Sequence, residues 1–379
     1  MSLEKDPNRW DVNTRSKTSA FAWRGQFTPD FVSLVFDEFD TKQGLVLDPF
    51  MGSGTVLLEA IARNRPSFGT EINPAAYFLS HVFTLANLRS DQRSQLVQEL
   101  ADSVAGLTSD SQGNFFKSLV NLILEEKDGA LLTLLRATLL VAAKDSADVT
   151  TEKLSKSLDQ VGIVLSDLPT SSASIRMDCS DARAVRVEPE SVGFVVTSPP
   201  YINVFNYHQN YRPSVEALGW NVLEKAQAEI GSNRKHRSNR LLTVIQYTLD
   251  MMMMLEKLTI SMMDHGVIVL VVGRESNVRG LPFMNSEIIE DCVKAIPQLS
   301  LREKHERKFR SRYGAMVYED ILVVTKSKSG DLPQALLETA RSVAKEHLKR
   351  QLHNCPAEVL EDLEQAIERV SVVQPSPIH

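Results

Sequence analysis

Cysteine is scarce in this chain. Its three cysteines, Cys179, Cys292 and Cys355, lie far apart and lack C-x-x-C spacing, which excludes a disulfide framework and a zinc knuckle and makes a reducing cytoplasm the expected setting. No apolar run approaches the roughly 20 residues of a membrane span, and the first residues carry no apolar signal core; no membrane partner is expected. Positive charge is not in excess either. With a formal net charge of −6, a wholly basic nucleic-acid binder is excluded and any polyanion site has to be local. Internal repeats and long low-complexity tracts are missing as well. What is present is an ordinary globular composition, 43% hydrophobic and 24% charged over 379 residues, which allows one large domain with insertions or about two domains.

Short β-branched runs recur, most of them followed by helical patterns: "GLVLD" from Gly44, "SFGTEI" from Ser67, "SIRMD" from Ser174, "VGFVVT" from Val192, "GVIVLVV" from Gly266 and "EDILVVT" from Glu319. Apolar on both faces, they predict a mainly parallel sheet covered by helices, an α/β fold. Residues 88–169 read as helical and strand-poor, a helical insertion between two parts of a catalytic domain, 1–87 and 170–330. A polar, aromatic and then basic segment, 203–240, precedes a helix whose Met251 to Met254 are expected on its buried face. The region 331–379 predicts a helical tail ending in a frayed "QPSPIH".

The first chemistry-bearing stretch is "LVLDPFMGSGTVLLEAIARNRPSFGTEIN". A strand ends at Asp48, a tight turn follows with Gly52 and Gly54, and Thr55 opens an amphipathic helix. Glycines there let a ligand approach the backbone, and the helix N-terminus offers unpaired amides to an anionic group. Glu71, after the next strand, stands where a carboxylate accepts hydrogen bonds from ribose hydroxyls. The third glycine of the dinucleotide fingerprint is replaced by Leu57, and no lysine follows as in a phosphate loop. S-adenosylmethionine fits better: its carboxylate needs donors, its ammonium an acceptor such as Asp48, and its ribose Glu71. A third strand brings Asp178 and Asp181, either of which suits the adenine amino group.

The second stretch is "VGFVVTSPPYINVFNY". Two consecutive prolines stop the strand and hold the chain rigid. In an open parallel sheet ligands bind beyond the carboxyl ends of strands, so this turn is expected to face the glycine loop. Methyl transfer to an exocyclic amino group suits it. Such a nitrogen is a poor nucleophile because its lone pair is delocalised, and acceptors at the Ser198 hydroxyl and the Pro199 carbonyl, kept rigid by Pro200, would localise it. Tyr201 offers a flat face for an extruded base.

Together "DPFMGSGT", "SDAR" and "TSPPY" resemble the motifs of exocyclic-amino DNA methyltransferases of restriction-modification type, over Phe21 to about Gly330 without most of Leu88 to Pro169. The Ser-Pro-Pro-Tyr form is similar to the cytosine-N4 branch; the adenine-N6 branch more often carries Asp-Pro-Pro-Tyr. The resemblance implies a Rossmann-like methyltransferase fold, S-adenosylmethionine as cofactor, double-stranded DNA as partner and, by genomic context, a cognate restriction endonuclease. It implies that Phe27, Thr28 and Pro29 pack near the methionine moiety, that Asp48, Pro49, Phe50, Gly52, Gly54 and Thr55 hold it, and that Glu71 takes the ribose and Asp181 the adenine. In one Ser-Pro-Pro-Tyr subgroup the proline motif precedes the glycine loop, whereas here it follows. That order keeps both loops at one sheet edge.

For DNA, Phe205 and Tyr207, with Tyr211 nearby, are expected to form the target-base loop, and two basic clusters are expected to meet phosphates: Arg234, Lys235, Arg237 and Arg240, then Arg307, Lys308, Arg310 and Arg312. Rival readings are an adenine-N6 enzyme, an RNA or protein amino or amide methyltransferase, and a non-catalytic regulator. Asp48, Glu71, Ser198 and Tyr201, all intact, speak against the last. A carbon-methylating cytosine enzyme would need a nucleophilic cysteine, normally after proline, and Cys355 instead precedes one.

Overall fold

A computed structural model describes residues 8–12, 19–202, 210–232, 236, 238–310, 314–327 and 330–378. Its centre is a seven-stranded sheet built from β1 (Leu45–Asp48), β2 (Ser67–Thr70), β3 (Ile175–Asp178), β4 (Val192–Thr197), β5 (Met262–Gly273), β8 (Leu299–Arg310) and β9 (Met316–Lys326). The strand order is β3-β2-β1-β4-β5-β9-β8. The first five strands pair in parallel, and β9 runs antiparallel to both β5 and β8. A separate hairpin joins β6 (Glu275–Val278) and β7 (Leu281–Met284). The chain leaves β1 outward to β2 and β3 and then returns to β4 on the other side of β1, so the crevice between the β1 and β4 ends is the switch point where such sheets bind ligands.

Alternation along the strands explains the layers. Val46, Phe194, Val196, Val269, Val271, Ile321 and Val323 join one buried cluster with α1 (Pro29–Phe39) and α2 (Thr55–Ala62). Their neighbours Leu47, Val195, Ile268, Leu270, Leu322 and Val324 join a second cluster with α10 (Leu242–Ser261), α11 (Asn285–Lys294) and α12 (Leu336–Arg350). The two-faced apolar runs are therefore strands clothed on both sides, as expected. Between α3 (Pro74–His81) and β3 lie α4 (Ser90–Ala105), α5 (Phe116–Glu125), α6 (Gly129–Ala143) and α7 (Thr151–Asp167), and between β4 and α10 the short α8 (Arg212–Ala217) and α9 (Val222–Ala228). Their apolar faces extend the first cluster. Met251, Met252 and Met254 are buried on α10.

Two expectations are corrected. The basic run before Arg310, expected as a single phosphate-binding cluster, is part of β8, so Arg302, Lys304, Lys308 and Arg310 are exposed on one face and Arg307 is buried on the other. Nor is the C-terminal segment frayed. Ser376 is 3% exposed, its amide and hydroxyl donate to Asp250 at 2.8 and 2.6 Å, and Arg183 donates to the Ser376 and Pro377 carbonyls. The buried Arg183–Asp250 pair needs these partners, because an unpaired charge in that position is costly.

Candidate active site

One cavity of about 610 Å³ opens at the carboxyl ends of β1 and β4, and its walls include Asp48, Gly52, Glu71, Ser198 and Tyr201. That volume lies within the range of small-molecule sites. On the β1 side, Gly52 and Gly54 adopt φ of +51° and +85°, a turn that sets the uncapped N-terminus of α2 toward the cavity. A Cβ on Gly54 would lie 2.9 Å from Phe83 and Ser80. Leu57, which stands where a third glycine was sought, packs against Gly69 of β2, and a Cβ at Gly69 would come within 2.9 Å of Leu57 and 2.5 Å of Met51. The close helix-to-strand approach is thus supplied from the strand side.

The loop is held by its own carboxylates. Glu71 accepts from the amides of Gly52 at 2.9 Å and Asn73 at 2.8 Å. Asp48 accepts from the Phe50 amide at 3.1 Å and the Thr197 hydroxyl at 2.6 Å. Burial raises both acids above the ordinary carboxylate range, Asp48 to about 7 and Glu71 to about 6, against the hydrogen bonds that favour ionisation. Phe27 and Thr28 line the same cavity. Thr28, the residue before α1, has a buried hydroxyl with no hydrogen-bond partner among the described residues, and Pro29 is the first residue of that helix. An orphaned donor, uncapped amides and two acids in one cavity fit the carboxylate, ammonium and ribose of S-adenosylmethionine.

Asp181, expected at the adenine, also lines the cavity. Both of its carboxylate oxygens are nevertheless engaged by Arg183, at 2.9 and 2.6 Å, so its first role is to anchor that buried guanidinium. Pro49, Phe50 and Thr55 also line the cavity.

On the β4 side, Ser198, Pro199, Pro200 and Tyr201 all reach the cavity. The Tyr201 hydroxyl donates to Glu319 at 3.1 Å, and its ring lies against Gly273 so closely that a Cβ there would meet ring atoms at 2.6 to 2.9 Å. The following turn is pinned by Asn285, which accepts from the Ile202 amide at 3.2 Å and donates to the Gly273 carbonyl at 2.9 Å.

Of the residues expected at DNA, Phe205, Tyr207, Arg234, Lys235, Arg237 and Arg312 lie outside the described residues. Arg240 is exposed just before α10, and Lys308 and Arg310 are exposed on β8. Arg307 is corrected: only 5% exposed, it forms part of the cavity wall and faces no open surface. Tyr211 stacks on Trp23 with centroids 5.9 Å apart, and Trp23 in turn lies over Gly52, placing it on the cofactor side. Sequence reasoning missed Trp23, Asn285, Glu319 and Gly273. None carries a local signature, because each is defined by a partner far away in the chain.

Among the described residues no cluster of His, Cys, Asp or Glu could hold a metal ion, and no helix is long and apolar enough to cross a membrane. Burial pushes the Cys179 thiol up to about 12, the opposite of a nucleophile.

No protein of curated function matches the chain. Among solved structures it resembles a SAM-dependent methyltransferase from Methanosarcina mazei, at 8% identity and a TM-score of 0.36, covering 78% of this chain and 98% of that one. An rRNA methylase from Streptococcus thermophilus gives 7% and 0.31, covering 79% and 94%. A modification subunit of a putative type I restriction enzyme from Vibrio vulnificus gives 11% and 0.32, covering 80% of this chain and 44% of that one. At these scores the likenesses carry no functional argument. The family comparison is more specific, since residues 5–80 match the family described as DNA methylase. Those residues hold β1, the glycine loop and Glu71, so the likeness to DNA methylases lies in the segment that would hold S-adenosylmethionine.

Proposed function

We propose that the protein transfers a methyl group from S-adenosylmethionine to the exocyclic amino nitrogen, N4, of cytosine in a specific sequence of double-stranded DNA, after the base has left the helix. The observation that carries this reading is the shared cavity: the Asp48–Glu71 loop and the Ser198–Tyr201 turn line the same space.

S-adenosylmethionine, when bound, supplies a methyl sulfonium already activated for displacement. Asp48 and Glu71 would hold its ammonium and ribose, and Thr28 with the first amides of α2 its carboxylate. Ser198 Oγ and the Pro199 carbonyl accept hydrogen bonds from the amino group and turn its lone pair out of conjugation. These acceptors sit on a turn stiffened by two prolines, so they need no rearrangement during reaction. Tyr201, fixed between Gly273 and Glu319, supports the base from one face. The nitrogen gains a bond to carbon as the carbon–sulfur bond breaks, and the charge arriving on nitrogen leaves as a proton to solvent. Positioning for in-line attack supplies much of the rate, and no covalent nucleophile is needed.

The test is to express the protein in a host without endogenous DNA methylation, sequence the DNA for modified bases, and repeat with Ser198→Ala and Tyr201→Ala. N4-methylcytosine at one sequence with the wild type, and about 100-fold less with Ser198→Ala, supports the reading. Unmodified DNA from a folded, cofactor-binding wild type defeats it. N6-methyladenine would reassign the base.

A further inference from the structure

Arg307, Glu319 and Gly273 occupy one register row on three adjacent strands: Gly273 of β5 pairs with Glu319 of β9, which pairs with Arg307 of β8. Tyr201 lies over Gly273 and binds Glu319 Oε1. Arg307 Nε faces Glu319 Oε2 at 3.4 Å, and the guanidinium lies over the rings of Phe31 at 3.8 Å and Phe309 at 4.8 Å. Its Nη1 is buried and has no hydrogen-bond partner among the described residues. A buried charged donor without a partner is rare in folded proteins. Here it borders a cavity that also holds the proposed catalytic turn.

We propose that Arg307 Nη1 donates to the ring carbonyl oxygen, O2, of the extruded cytosine, making Arg307 the residue that selects cytosine over adenine. The inference rests on the cytosine reading above. A ring stacked on Tyr201 with its amino group at Ser198 and Pro199 directs the far end of its Watson–Crick edge along the row toward Glu319 and Arg307. In cytosine that end carries O2. Adenine presents a carbon-bound hydrogen at the equivalent place, which leaves Nη1 unpaired in a dry site. A site whose buried donor loses its partner discriminates strongly against the analogue that lacks the acceptor. The cofactor carboxylate is the less suitable occupant: Glu319 already balances the guanidinium charge, so a neutral carbonyl suits the pair better than a second anion.

The methylated sequence is first mapped in host DNA with the wild type, and duplexes with cytosine or adenine at the target position are then assayed with wild type, Arg307→Gln and Arg307→Lys, alongside calorimetric titration of S-adenosylmethionine. Arg307→Gln is expected to slow methylation of the cytosine duplex by about 10- to 100-fold, to leave the adenine duplex unchanged, and to keep cofactor affinity within about twofold. Arg307→Lys, which keeps a charged donor of different reach, is expected to retain part of the preference and carries the test if the glutamine variant does not fold. An unchanged preference in a folded variant overturns the inference. So does a loss of cofactor affinity that matches the loss of activity, which would make Arg307 a cofactor ligand. A wild type that methylates no DNA base defeats the cytosine reading itself, and is seen before any variant is made.

Discussion

The Thr197 hydroxyl donates to Asp48 Oδ1 at 2.6 Å, tying the last residue of β4 to the last residue of β1. The strand that delivers the proline turn and the strand that delivers the cofactor loop therefore share one buried hydrogen bond at the switch point of the sheet. Thr197→Val removes the donor and leaves Asp48 with less support for its charge. It should cost about 1.5–3 kcal/mol of stability at pH 8, measured by urea denaturation, and should move the pH dependence of cofactor binding upward. Equal stability and an unmoved pH profile would show that the bond is incidental.

The two acids of the loop make a pH prediction with a definite sign. Burial raises Asp48 from 3.8 to about 7 and Glu71 from 4.5 to about 6, so the folded protein binds more protons than the unfolded chain between those limits. The contribution of these two acids to stability without cofactor should therefore be full at low pH and fall as pH rises from about 4 to 7. A ligand with an ammonium and ribose hydroxyls prefers the ionised acids, so S-adenosylmethionine affinity should rise over the same window, with proton release on binding. Calorimetry in buffers of different ionisation enthalpy reads that release. Asp48→Asn should abolish the step nearest pH 7.

Gly273→Ala places a methyl group 2.6 Å from the Tyr201 ring. Overpacking of this kind costs about 1–3 kcal/mol, and the ring has to move to relieve it. Methyl transfer is expected to fall at least tenfold with cofactor affinity unchanged, because Asp48 and Glu71 are untouched. Steady-state kinetics with a separate binding titration distinguishes this from general unfolding.

Arg183 supplies a stability test remote from the chemistry. Arg183→Met strips the partner from Asp181 and Asp250, both about 2% exposed or less, and should destabilise by about 3–5 kcal/mol. Ending the chain after Val373 removes the Ser376 contacts to Asp250, the two carbonyl acceptors of Arg183 and the Gln374 carbonyl that accepts from Gln246 at 3.0 Å, but leaves the Arg183 charge in place. Its effect should be smaller, about 1–3 kcal/mol. Denaturation curves of the two variants give the order directly.

How much was legible follows from where each signal resides. The buried strands β1, β2, β4, β5 and β9 announce themselves because neither face meets water. Strand β8 does not, since "REKHERKFR" reads as a charge run until its period of two is noticed: His305, Arg307 and Phe309 turn inward, while Lys304, Glu306 and Lys308 turn outward. Read as a charge run, the segment puts Arg307 at a phosphate. The cofactor loop and the proline turn could be read residue by residue because glycine and proline act locally on the backbone. Asn285, Gly273 and Glu319 could not, because their roles exist only through Tyr201 and the turn after it. "QPSPIH" looked frayed for the same reason, its partners Arg183 and Asp250 being more than a hundred residues away.

The central claim meets its most direct test in the purified protein, incubated with duplex DNA from an unmethylated host and S-adenosylmethionine deuterated in its methyl group, followed by digestion to nucleosides and mass spectrometry. The account predicts deuterated methyl on N4 of deoxycytidine, lost with Ser198→Ala while cofactor binding persists. Label on deoxyadenosine alone, or no label in DNA from protein that binds the cofactor, would contradict it.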